Sequence, residues 1–290
     1  MSTITTNSFV LKFSCPNSVN VPSAVAEFLS RHALEAHETQ QYADSDTGKL
    51  FMRLVAGKQS GGIPVDVVRN AFAQVALDHQ MEWSIRVAER SSRVLIMVSL
   101  FDHCLVDLLY RWRIGELPMH VTGIVSNHPI EAFAKHDFQG IPFHHLPVSK
   151  DTKQAQEQKL LEIIDSTGTD LVVLARYMQV FSRELSAKLS GRAINIHHSF
   201  LPGFKGAKPY HQAHAYGVKV MGATAHYVTA DLDEGPIIEQ DVERISHFDS
   251  PDSLVRKGRD IERRVLARAI RYHIDDRVFT NGRKTVVFPD

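Results

Sequence analysis

The residues best suited to chemistry stand close together in Ala193-Ile-Asn-Ile-His-His-Ser-Phe-Leu-Pro202. If 193–197 is a strand, side-chain alternation puts Asn195 and His197 on one face, about 7 Å apart at roughly 3.3 Å per residue. An asparagine amide can donate to an oxygen gaining negative charge in a tetrahedral intermediate, and a histidine can carry the proton a leaving group needs. The pair is half of an acyl-transfer site. The competing structural reading makes Asn195 a turn cap and His197 a satisfied core histidine, and so short a motif does not choose between them.

A second stretch, Asp231-Leu-Asp-Glu-Gly-Pro-Ile-Ile-Glu-Gln240, reads as a turn between strands, with Gly235 supplying a backbone angle that other residues resist. A carboxylate beside His197 would orient its ring and favour its protonated form. Asp233 is the candidate for that role, while Asp231 is better suited to capping and solubilising the turn. A third piece, Leu174-Ala-Arg-Tyr-Met-Gln-Val-Phe-Ser182, follows an apolar strand and suits a flat ring. Sixteen histidines include His144-His145, His197-His198 and His211-x-x-His214, but no cysteine or carboxylate joins them at a recognised ligand spacing, so no metal is expected. Cys15 and Cys104 are too far apart in sequence for a thiolate motif and read as buried thiols.

These residues need a frame, and the pattern of the chain supplies one. Residues 9–13, 21–32, 37–44, 50–55, 64–79 and 82–88 read as strand, helix, strand, strand, helix, strand. That βαββαβ order makes a four-stranded antiparallel sheet with both helices on one face, a ferredoxin-like unit. Residues 88–93 read as a linker, giving a first domain over 1–90 and a second over 91–290. In the second, strands at 94–99, 121–125, 142–145, 171–174 and 193–197 alternate with helices at 102–113, 130–135 and 150–166. This is the signature of an α/β domain with a mostly parallel sheet, whose sites belong at strand carboxyl ends. A helix at 209–216, strands at 221–229 and 236–243, a long helix at 251–273 and a hairpin turn at Asn281-Gly282 follow.

Lys plus Arg equals Asp plus Glu at 33 each, which speaks against a nucleic-acid footprint or a polybasic membrane patch. Residues 1–7 lack the features of a signal peptide and no apolar run approaches a membrane span, so the expected location is the cytoplasm.

Taken together, the Asn195-x-His197 strand, the Ser199-Phe-Leu-Pro202 turn, the Leu174-Ala-x-x-Met178 loop and the Asp233-x-Gly235 loop resemble the folate-dependent formyltransferase fold, a Rossmann-like domain. Within it the chain is most similar to the formyltetrahydrofolate deformylases, and the first unit resembles the ACT domain that precedes the catalytic domain in that family. The position where glycinamide ribonucleotide formyltransferases carry a glycine-rich phosphate loop reads Ser99-Leu-Phe-Asp-His-Cys-Leu105, without glycine. The segments 204–213 and 222–228 also look like deformylase sequence.

The resemblance implies hydrolysis of 10-formyltetrahydrofolate to formate and tetrahydrofolate, an activity that would supply formate for purine synthesis and balance one-carbon pools. Asn195, His197 and Asp233 would be catalytic, and Arg176, Met178, Gln179, Val180, Asp231 and Gly235 would bind substrate. Folate and water are then the reactants, with no cofactor and no nucleic-acid or membrane partner. Two alternatives stay open: a formyltransferase using another amine, and a non-catalytic folate- or amino-acid-binding regulator. The ACT-like unit implies a homo-oligomer and an amino-acid effector, although 15–22 lack the loop glycine usual where such effectors bind; in the second domain Leu100 stands where the family's pattern has a lysine, against a charged contact there. The segment 203–208, with two glycines, is a candidate lid.

Overall fold

The structure, a computed structural model, describes residues 5–6, 8–58, 61–138, 140–199 and 209–290, with the side chains of 5, 6, 209 and 210 left out of the description. The chain divides into two compact units. The first comprises Met1–Arg90 with Asp275–Phe279 and Val286–Asp290, and the second Ser91–Ile274 with Thr280–Thr285.

The first unit runs β1 (Thr5–Thr6), β2 (Ser8–Pro16), α1 (Asn20–Arg31), β3 (Glu35–Asp44), β4 (Lys49–Gly57), β5 (Ile63–Pro64), α2 (Val65–Asp78) and β6 (Glu82–Val87). Its four long strands form an antiparallel sheet in the order β3-β4-β2-β6, and β1 pairs with β5 alone. Phe9, Leu11, Phe13 and Cys15, alternate residues of β2, share one core with Leu50, Met52 and Leu54 of β4 and with Val21, Val25 and Phe28 of α1 and Val68 and Phe72 of α2. This is the period-two burial that a strand covered by helices requires.

The units part between Arg90 and Ser91, but the first also takes in two late segments that were expected in the second domain. Arg53 Nε donates to the Asp275 carbonyl at 2.8 Å, Arg86 pairs with Asp276, and Phe51 meets Phe279 edge-on at 5.7 Å. Phe288 joins Phe51 and Phe279 in a small core of its own. Sequence patterning reads neighbours along the chain, so it assigned these late residues to the domain they follow rather than to the sheet they cover.

The second unit runs β7 (Ser92–Val98), α3 (His103–Arg113), β8 (Met119–Ser126), β9 (Phe143–His145), α4 (Lys153–Thr167), β10 (Leu171–Leu174), α5 (Arg183–Lys188), β11 (Ala193–His197), α6 (Pro209–Tyr216), β12 (Val220–Tyr227), β13 (Ile237–Arg244) and α7 (Pro251–Ile274), after which β14 (Val278–Asn281) and β15 (Lys284–Val287) form a hairpin. A seven-stranded sheet has the order β13-β12-β11-β10-β7-β8-β9, parallel from β9 to β11 and antiparallel from β11 to β13. The apolar strands β7 and β10 lie side by side in its middle, with Val94 to Val98 wholly buried. Leu95, Met97, Val172 and Leu174 pack against Leu160 and Ile164 of α4 and Leu185 of α5, whereas α7 packs on β11, β12, β13 and α3.

Three local expectations change. The helix expected at 130–135 is one 3₁₀ turn, Ile130–Phe133, and the linker shrinks because β7 already begins at Ser92. The sequence reading missed α5, a six-residue helix whose N-cap Ser182 accepts from the Leu185 amide at 3.1 Å. No helix of the described residues is long and apolar enough to cross a membrane.

Candidate active site

Strand β11 carries Asn195 and His197 to the carboxyl end of the sheet, the edge at which parallel α/β sheets place their sites. Asn195 stands beside Leu174 of parallel β10 and opposite His226 of antiparallel β12. Directly opposed side chains share a face, and Asn195 Nδ2 lies 3.3 Å from His226 Nε2. The other ring nitrogen, Nδ1, is 2.8 Å from the Tyr227 carbonyl, which can only accept. Nε2 of the neutral ring is therefore an acceptor, and Asn195 donates to it. The 3.6 Å approach of His226 Nε2 to Asp233 Oδ1 becomes an ion pair only in the imidazolium, where Asn195 can no longer donate to that nitrogen.

Asp233 sits between these groups. His197 Nδ1 donates to its Oδ2 at 3.2 Å, and Asn195 Nδ2 reaches its Oδ1 at 3.5 Å. Burial works to raise the Asp233 carboxyl's pKa, but the hydrogen bond from His197 acts against it and the carboxyl lies well below the usual carboxylate range. With Nδ1 committed to this anion, Nε2 of His197 is the basic nitrogen. It is buried without a hydrogen-bond partner among the described residues. His198, whose ring centroid is 4.9 Å from that of His197, is pushed down to about 4 by burial and by the charges of Arg176 and His197, and so stays neutral near pH 7.

The loop that presents Asp233 is tightly specified. The Glu234 amide donates to the Asp231 carbonyl at 3.4 Å, and Asp233, the third residue of that turn, has φ 55°. Aspartate is among the few side chains that enter this left-handed region readily. Gly235 is required for a different reason from the expected one. Its φ is not positive, but a Cβ there would lie 1.7 Å from the Tyr227 carbonyl oxygen, so only a missing side chain lets the loop close against β12. The β12–β13 pairing also shifts register between Ala225 and His226, a bulge of the kind that re-aims side chains near sites.

A second loop, 176–180, is pinned by the Ala175 amide to the Met97 carbonyl at 2.8 Å, the Ser99 amide to the Arg176 carbonyl at 3.2 Å and the Met178 amide to Ser99 Oγ at 3.0 Å. Between this loop and 231–235 lies a cavity of about 720 Å³. All nine candidate residues line it: Arg176, Met178, Gln179, Val180, Asn195, His197, Asp231, Asp233 and Gly235. Arg176 differs from the others because its Nε lies 3.3 Å from Glu262, a carboxylate 1% exposed that also takes His103 at 2.8 Å. Asp231 keeps an exposed carboxylate, 3.6 Å from Arg183. Of the Ser199–Pro202 turn, residues 200–202 lie outside the described residues, as does the candidate lid 203–208.

Comparison with known proteins agrees with this architecture. The formyl transferase family model matches residues 92–270. A formyltetrahydrofolate deformylase from Corynebacterium sp. (strain P-1) is 50% identical over 278 residues, covering 96% of this chain and 97% of the relative. The chain belongs to the formyltetrahydrofolate deformylase family. The crystal structure of the formyltetrahydrofolate deformylase from Burkholderia mallei superposes with a TM-score of 0.92 at 51% identity, over 98% of this chain and all of that one. Glycinamide ribonucleotide transformylase 1 from Symbiobacterium toebii aligns with a TM-score of 0.62 at 30% identity, over 69% of this chain and 95% of its own. The likeness to deformylases thus spans both units, whereas the transformylase lacks a counterpart for about a third of the chain.

Within this deformylase fold the sequence reading overlooked two partners. His226 gave a signal, since antiparallel pairing of β11 with β12 sets it opposite Asn195, but the signal needs the register. Glu262, on α7, has no local signature at all. His103, Cys104 and Glu262 also form a group among the described residues whose ligand atoms lie within 4.8 Å of one another. Arg176 already supplies positive charge there, and burial together with Glu262 pushes the Cys104 thiol well above its ordinary value. The cluster is built as a compensated ion network, a poor metal site.

Proposed function

We propose that the chain hydrolyses 10-formyltetrahydrofolate to formate and tetrahydrofolate in the cavity between 176–180 and 231–235, without a metal or other cofactor. The observation that carries this reading is the unpartnered, buried Nε2 of His197, with Asp233 on the opposite nitrogen and Asn195 beside it. His197 Nε2 takes a proton from a water, and the water oxygen attacks the formyl carbon. The weaker of the two Asn195 contacts, at 3.5 Å to Asp233, gives way so that the amide donates to the developing oxyanion. His197 then returns the proton to N10, the carbon–nitrogen bond breaks, and formate and tetrahydrofolate leave. His226 holds the Asn195 amide in the orientation this step needs.

For the first unit we infer an assembly or regulatory role. Its sheet ends on β3 and β6, each paired on one side only among the described residues, and pairing between subunits is a common way to remove such an edge. That supports a homo-oligomer, while the amino-acid effector rests on the unit's resemblance to an ACT domain alone. Formate and tetrahydrofolate released in equal amounts from 10-formyltetrahydrofolate, with no amine added, are the expected products. Substrate that binds and stays intact until an amine is supplied would overturn hydrolysis in favour of transfer.

A further inference from the structure

The Asn281-Gly282 hairpin has a place in this site that the chemistry above does not use. Gly282 takes a left-handed φ of 63°, and Gly282 and Arg283 together join β14 to β15. Asn281 is buried, and Thr285 Oγ1 donates to the carbonyl of Ile237, the first residue of β13 and itself on the cavity wall. The turn is therefore anchored immediately beyond the loop that carries Asp233. At its tip Arg283 lines the same cavity.

Two arginines line that cavity, and they are not equivalent. Arg176 is 9% exposed and faces Glu262, so its charge is spent inside the protein. The Arg283 side chain is 90% exposed, and among the described residues it has one ion pair, to Glu234, which spans 3.8 Å, beyond hydrogen-bond length. The adjoining loop is acidic, with Asp231, Asp233 and Glu234 on the wall. An anionic group entering past that loop is repelled by three carboxylates and attracted by one exposed cation, held only through a long ion pair.

We propose that Arg283 is a specificity-determining residue that takes the glutamate carboxylates of the substrate's tail. The inference rests on the deformylase reading, because 10-formyltetrahydrofolate ends in a glutamate bearing two carboxylates, whereas its pterin and aminobenzoyl parts are neutral. A planar guanidinium with five donors matches a carboxylate well. Its exposure at a rim keeps the expected contribution between that of a surface ion pair and that of a charge-assisted hydrogen bond, about tenfold in affinity.

The test is equilibrium binding of two ligands, tetrahydrofolate and tetrahydropteroate, the latter lacking the glutamate, to wild type, Arg283→Met and Arg283→Lys. The expected result is a Kd for tetrahydrofolate about tenfold weaker in Arg283→Met and largely recovered in Arg283→Lys, with tetrahydropteroate bound alike by all three. Raising salt should weaken tetrahydrofolate binding in wild type more than in Arg283→Met. An unchanged Kd for tetrahydrofolate, or an equal loss for both ligands, overturns the proposal. Formate release by wild type is read separately, so loss of the hydrolase reading and loss of the Arg283 contact give different results.

Discussion

Two carboxylates in the second unit sit among similar neighbours and end in opposite situations. Asp233 faces His197 and His226, and Glu262 faces His103 and Arg176. Around Glu262 each charge meets a partner, the carboxylate is 1% exposed, and it is not among the residues that line the site cavity. Around Asp233 the carboxylate opens on a cavity of about 720 Å³, and His197 Nε2 has no hydrogen-bond partner among the described residues. Residue type does not separate a structural ion network from a reactive one. What separates them is that Asp233 lines a cavity a substrate can enter and Glu262 does not.

Substitutions at the two carboxylates should therefore fail in different ways. Asp233→Asn removes the acceptor that fixes the His197 tautomer, and by analogy with the aspartate of a hydrolase triad formate release should fall by about 10⁴-fold with little change in unfolding midpoint. Steady-state rates beside urea denaturation check both halves, and a large loss of stability would erase the contrast. Glu262→Ala should do the reverse, costing about 3–5 kcal/mol in denaturant unfolding because Arg176 is left buried without its anion. A variant of normal stability but without activity would move Glu262 into the reacting site.

Asn195→Ala sharpens the comparison on the reactive side. Loss of one oxyanion donor should lower kcat by about 100- to 1,000-fold and leave KM nearly unchanged. The smallest effect concerns pH. His198 is held near 4 in the folded chain and returns to about 6.5 when unfolded, so the unfolded state binds more protons between those values. Stability is then full above about pH 6.5 and is lost as pH falls toward 4, by at most about 3 kcal/mol. Urea midpoints from pH 7 to pH 4.5 should show this slope in wild type and a shallower one in His198→Phe.

How far the site could be read in advance depended on where its parts lie along the chain. Asn195 and His197 share a strand, so alternation alone put them on one face, and the cavity they line is the one expected from their place at a strand's carboxyl end. Asp233 was legible as a carboxylate in a loop, and the structure brings it within 3.2 Å of His197. Gly235 was expected to supply an unusual backbone angle, which it does not adopt. Its need for no side chain comes from the Tyr227 carbonyl across the bulge, a neighbour that no local pattern contains. Arg176 was placed on the cavity wall, yet its charge belongs to Glu262 on a helix more than eighty residues later.

The sequence by itself determined the βαββαβ unit, the mostly parallel sheet that follows it and the strand that carries the asparagine and histidine. Those are consequences of periodicity and strand order, which act between near neighbours. The tertiary structure decided which carboxylate would be reactive, which nitrogen of His197 would be left basic, and that His226, Glu262 and Arg283 would join the site or its support. It also returned Asp275–Phe279 and Val286–Asp290 to the first sheet. Each of these depends on strand register or on contacts between residues tens to hundreds of positions apart. Hydrogen bonds of about 3 Å are fixed only when that register is set.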